Sequence, residues 1–173
     1  MFRAFLFALL AANTAYFAVA GTTSKAIDSG AWLILLVLFR AETGYADRLE
    51  RAPRPLALRA ARLAAGAGVI AATVGYVFED NVLDALNSAL WIAVVVLLEI
   101  EMRYRSGARR TRVPLGALTG GLYAALALLV IAWAVRGQWF DAYDALLWLV
   151  AFATIELDVV AGKTQGNAPI TLR

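Results

Sequence analysis

Charged residues interrupt the apolar stretches of this chain at repeated positions. Arg40, Glu99 and Glu156 stand eight residues after Trp32, Trp91 and Trp148, and Glu42, Glu101 and Asp158 stand ten after the same tryptophans. A carboxylate inside an apolar run is destabilising unless it is paired or functional. The chemistry open to it is narrow: it can take up a proton, ligate a hard cation, or pair with a base. Two carboxylates sharing a low-dielectric space do not both ionise easily, so one of them can titrate near neutral pH. Four residues before the tryptophans come Asp28, Asn87 and Asp144. Together with Trp32, Trp91 and Trp148 they make a second candidate, an aromatic-lined outer vestibule.

Helical geometry sorts these positions into columns. At about 100° per residue, the position four before each tryptophan falls roughly 40° to one side of it, and the position ten after falls roughly 80° to that same side. The position eight after lies roughly 80° to the other side. Arg40, Glu99 and Glu156 thus form a mixed column, and Glu42, Glu101 and Asp158 an acidic one. An inward acidic column favours a cation site; an inward mixed column favours a fixed charge cluster between helices, which is weak evidence for stability. Acids at these C-terminal helix ends also oppose the macrodipole and call for a compensating neighbour. Glu99 with Arg103 and Glu101 with Arg105 have one four residues away. Glu156 has none before Lys163.

Several chemistries are excluded outright. The chain has no cysteine and no histidine, so disulfides, thiolate nucleophiles, imidazole bases and His-ligated haem are absent. It carries no Gly-rich phosphate loop and no serine elbow. We expect no enzyme and no cofactor, and the residue types alone name no metal.

The elements that position these residues follow from composition. With 62% apolar and 17% charged residues and a mean hydropathy of +0.70, the chain reads as an integral membrane protein. Apolar stretches near 3–21, 28–42, 58–78, 82–101, 115–135 and 141–161 are each close to the roughly 20 residues that cross about 30 Å of hydrocarbon as a helix. Six spans are expected. Arg48, Arg51, Arg54, Arg59 and Arg62 follow the second span, and Arg103, Arg105, Arg109, Arg110 and Arg112 the fourth. This asymmetry places those loops and both termini on the cytoplasmic side of a cell (inner) membrane. It also accounts for the pI of 9.5 without nucleic acid. Arg109, Arg110 and Arg112 are the densest group and the candidates for lipid headgroups.

The tryptophan register divides the chain into three hairpins: residues 3–48, 58–105 and 115–162, with 163–173 as a flexible tail. Counting fifteen back from each tryptophan gives Phe17, Tyr76 and Trp133. Residues 1–20 also resemble a signal peptide ending in Ala-Val-Ala, but their place in the repeat favours a retained first helix. The expected fold is therefore all-α, six transmembrane helices as three repeated hairpins with pseudo-threefold symmetry. Gly66, Gly68, Ala72 and Gly75, and Gly116, Gly120, Gly121 and Ala124, read as packing faces. Buried Asn13 requires a partner on another helix. Trp133, Trp139 and Tyr143 fit an interfacial aromatic belt. The leading expectation for function is a small transporter or channel for a proton or hard cation. Its rival is a membrane scaffold or accessory subunit with fixed ion pairs. Either accommodates a second copy or a membrane partner protein.

Overall fold

Long apolar runs separated by very short polar turns leave the chain little choice but helical hairpins. The structure, a computed structural model, describes residues 2–44, 56–104 and 112–166, with side chains apart from those of residues 3, 42–44, 101–104, 112–115 and 155–166. The described residues form six helices: α1 Phe2–Ala20, α2 Thr23–Gly44, α3 Leu56–Phe78, α4 Val82–Tyr104, α5 Arg112–Val135 and α6 Trp139–Gly166. Helix α6 runs past residue 162, so residues 163–166 of the expected tail are helical. Nothing in Lys163, Thr164 or Gln165 breaks a helix.

Each hairpin turn solves the same problem, satisfying the last carbonyls of one helix and the first amides of the next. Asp80 (φ 53°) and Gly137 (φ 74°) take the left-handed conformation, each eleven residues before its tryptophan. The amides of Asn81 and Gln138 then donate to the carbonyls of Tyr76 and Trp133 at 2.9 Å, the closing bond of a Schellman turn. Gly21 occupies the same position in the first turn without positive φ. A Cβ there would stand 2.7 Å from the Phe17 carbonyl oxygen, which only glycine avoids. Thr22 Oγ1 caps α2 by accepting from the Lys25 amide at 3.3 Å.

The helices neighbour one another in a closed cycle, since each contacts the next in sequence and α1 also contacts α6. The closest association is between α2 and α3, across two hairpins. Small residues permit it: a Cβ on Gly68 would lie 3.3 Å from that of Ala31, and one on Gly75 would collide with Ser24. Added Cβ atoms on Gly66, Gly116, Gly120 and Gly121 meet nothing within 4 Å among the described residues, so these glycines of α5 pack against none of them. Trp133 is buried against Leu83, Ala142 and Ala145, whereas Trp139 and Tyr143 are exposed.

Three helices are long and apolar enough to cross a membrane: Leu56–Phe78, Val82–Ile100 and Gly116–Val135. Their outer faces carry exposed Leu63, Ile70, Leu128 and Ile131, an apolar surface that fits lipid and not water. Inside the cycle, Trp32, Trp91 and Trp148 are all buried in one core with Leu10, Leu36, Val94 and Leu126. Phe152 lies among them, its ring 4.5 Å from Trp91 and 6.4 Å from both Trp32 and Trp148.

Glu79, in the turn between α3 and α4, reaches back to the start of α2. Its carboxylate accepts from Ser24 Oγ at 2.6 Å, the Ser24 amide at 3.4 Å and Thr22 Oγ1 at 2.8 Å. A negative charge there also complements the α2 macrodipole. The Ser24 hydroxyl, followed by that of Thr22, holds the Glu79 pKa below the usual glutamate value. The stabilisation is therefore present above the ordinary value of about 4.3 and is lost as pH falls through the lower folded value. Glu79→Gln is predicted to lower the melting temperature at neutral pH. In thermal unfolding across a pH series, the gap to wild type should close below about pH 4.

Candidate functional site

The site grows out of the N-terminal turns of α2, α4 and α6. Seven residues before the three tryptophans stand Lys25, Asp84 and Asp141, about two helical turns away and nearly in line with them. Their side chains meet. Lys25 Nζ lies 2.5 Å from Asp141 Oδ1 and 3.3 Å from Asp84 Oδ2, with side-chain exposures of 15%, 18% and 10%. Asn81 donates its side-chain amide to Asp84, and the ammonium also faces the Phe17 ring at 5.6 Å. One base from the first hairpin thus ties together acids from the other two.

One turn deeper stand Asp28, Asn87 and Asp144, partly buried. Asp28 accepts from Tyr76 Oη at 3.2 Å and Ser88 Oγ at 3.3 Å. Asp144 accepts from Asn13 Nδ2 at 2.8 Å, which supplies the inter-helix partner that the buried amide requires. Neither carboxylate forms a salt bridge among the described residues; their direct partners are neutral donors. Ser88, fully buried, also bonds Thr73 Oγ1 at 2.7 Å.

These groups surround one cavity of about 50 Å³, lined by Lys25, Asp28, Asp84, Asn87, Asp141 and Asp144 and floored by Trp32, Trp91, Trp148 and Phe152. All six expected vestibule residues line it. Phe17, Tyr76 and Trp133 complete the wall. The space holds a few water molecules or a small ion, far less than the several hundred Å³ of an organic ligand pocket. With its four carboxylates ionised against one ammonium, the net charge is minus three. Among the described residues, no three carboxylates converge as a metal site.

The other expected site residues lie at the opposite helix ends. Arg40 and Glu99 are exposed. The side chains of Glu42, Glu101, Glu156, Asp158 and Arg112, and Arg109 and Arg110 entirely, lie outside the described residues. Sequence reasoning missed the Lys25, Asp84 and Asp141 cluster because those charges read as loop residues that set topology. Counting seven back from each tryptophan would have found them. The Ser88 and Thr73 hydroxyls carry no comparable signal, since such residues are common in apolar helices, and Tyr76 stands in the tryptophan register as an aromatic without any sign that its hydroxyl meets an acid.

Removing Lys25 leaves two carboxylates facing each other without their base. Lys25→Met is predicted to cost about 1 to 3 kcal/mol, less than a fully buried pair because the cluster keeps some solvent. Lys25→Met combined with Asp141→Asn should recover part of that loss, measured by thermal unfolding in detergent. The chain matches no protein-family model, no curated protein and no solved structure, so the functional reading rests on these residues alone.

Proposed function

We propose that this protein is a six-span membrane protein that binds and moves a proton or a small monovalent cation through the acidic cavity of its even-numbered helices. The observation that carries this reading is the pair Asp28 and Asp144, two carboxylates held by neutral donors in one small cavity. Buried acids without a base bind something positive or become neutral. A 50 Å³ space with no three-carboxylate metal arrangement among the described residues fits a proton or a monovalent ion better than a divalent metal.

On this reading α1, α2 and α6 cross the bilayer with the three long apolar helices, as three hairpins related by pseudo-threefold symmetry. The arginine-rich loops and both termini face the cytoplasm of an inner membrane, and the cavity opens to the outside. The plug of Trp32, Trp91, Trp148 and Phe152 separates it from the cytoplasmic charges. There Glu42, Glu101 and Asp158 provide a second acidic station, while the column of Arg40, Glu99 and Glu156 lies on the other side of the same helices, and Arg109, Arg110 and Arg112 meet anionic headgroups.

One observation favours a different reading. Lys25 bridging Asp84 and Asp141 is what a scaffold or accessory subunit would use to lock three hairpins in register. Flux separates the two. In proteoliposomes the wild type should dissipate an imposed proton or monovalent-cation gradient. Asp28→Asn and Asp144→Asn should each lose about tenfold or more, the effect of roughly 1.4 kcal/mol at a binding step, while remaining folded. A wild type that moves no ion across a panel of cations and pH gradients overturns the transport reading.

A further inference from the structure

The hydroxyls around Asp28 hold fewer hydrogens than their contacts require, and this points to the cargo. Ser88 Oγ contacts both Asp28 Oδ1 at 3.3 Å and Thr73 Oγ1 at 2.7 Å, while Thr73 Oγ1 also stands 2.8 Å from the Val69 carbonyl oxygen. Each hydroxyl owns one hydrogen. If Thr73 donates to Val69, Ser88 can donate to Thr73, and neither hydrogen remains for Asp28 Oδ1, though Oδ2 still accepts from Tyr76. An ionised Asp28 then faces an oxygen lone pair. If instead Ser88 donates to Asp28, Thr73 must donate to Ser88 and release Val69.

The two arrangements differ by one proton on Asp28. With Asp28 neutral, its O–H donates to Ser88, Ser88 to Thr73, and Thr73 to the Val69 carbonyl. With Asp28 ionised, the chain reverses: Thr73 donates to Ser88 and Ser88 to Asp28. The 2.7 Å contact between Ser88 and Thr73 belongs to both arrangements, whereas the 2.8 Å contact of Thr73 with the Val69 carbonyl, a normal hydroxyl bond length, exists only in the neutral one. A second group answers the ionised state. Trp32 Nε1, buried at 8% exposure, has no hydrogen-bond partner among the described residues. It lines the same cavity one helical turn from Asp28. A buried donor left unpaired marks a place for an acceptor, either a water or a charge that comes and goes.

We propose that the cargo of the cavity is a proton, that Asp28 carries it, and that Ser88 and Thr73 form a hydroxyl relay whose direction reports its protonation. The inference rests on the transport reading and names its substrate. In the step itself, a hydronium in the cavity gives its proton to Asp28 Oδ1, leaving water and a neutral carboxyl. The O–H bonds of Ser88 and Thr73 then rotate without breaking. Net cavity charge goes from minus three to minus two. The other titratable groups lining the cavity with Asp28 are Lys25 on its own helix, Tyr76 on α3, Asp84 on α4, and Asp141 and Asp144 on α6.

Infrared difference spectroscopy on the full chain in lipid nanodiscs tests this without measuring transport. A protonated-carboxyl band should appear as pH is lowered, shift in D2O, disappear in Asp28→Asn and persist in Asp144→Asn. Thr73→Val keeps the side-chain shape and frees the Ser88 hydrogen for the ionised carboxylate, so the band should form only at lower pH. Trp32→Phe keeps a ring but removes the N–H from the ionised state, so the band should form at higher pH. Bands unmoved in both variants overturn the relay. A band that survives Asp28→Asn, or one governed by sodium or ammonium instead of pH, overturns Asp28 as the proton carrier. An Asp28 band in a protein that moves no ion leaves the proton site standing and removes only the transport reading.

Discussion

The orientation of three helices about their own axes governs every charge in this structure. In α2, α4 and α6 the tryptophan side turns toward the middle of the cycle, and burial of Trp32, Trp91 and Trp148 fixes that turn. Positions seven and four before each tryptophan lie within roughly 40° of it, so Lys25, Asp84 and Asp141, and then Asp28, Asn87 and Asp144, are carried inward. Positions eight after lie roughly 80° away on the other side, and Arg40 and Glu99 are exposed. The same rotation that buries the aromatic core therefore gathers polar groups at the turn end.

Gathering them creates an electrostatic problem that the neighbouring helices answer unevenly. Lys25 pairs with both Asp84 and Asp141 directly. Asp28 and Asp144 receive only neutral donors, from α3 and α4 in one case and α1 in the other. Neutral donors stabilise a carboxylate less than a base does and also accommodate a neutral carboxyl. On the proposed reading, that difference separates a structural lock near the turns from an exchangeable site one turn deeper. Beneath both, the aromatic floor closes the cavity.

Much of this was legible in the residues, and the rest was hidden for physical reasons. The tryptophan register put Asp28, Asn87 and Asp144 on one helix side with the tryptophans but left open which side turns inward, and an amide in an apolar helix, Asn13, announced that it needed a partner. The Lys25 cluster was obscured because charges near turns serve topology as readily as they serve a site. Glycine stripes on α3 and α5 look alike in sequence, yet among the described residues only Gly68 and Gly75 of these stripes meet another helix, because spacing records a face and not what lies against it. The hydroxyl relay needed distances, since a serine in an apolar helix by default bonds its own backbone.

The account depends most on the cavity being wet and open at the turn end. The chain has no cysteine, so Asn87→Cys places a single thiol in the cavity wall without changing its charge. A small, membrane-impermeant thiosulfonate applied from the outer face of intact cells should modify it rapidly, while the same reagent confined to the cytoplasmic face should not. Protection from the outer face, or modification only from the cytoplasmic one, would contradict the arrangement described.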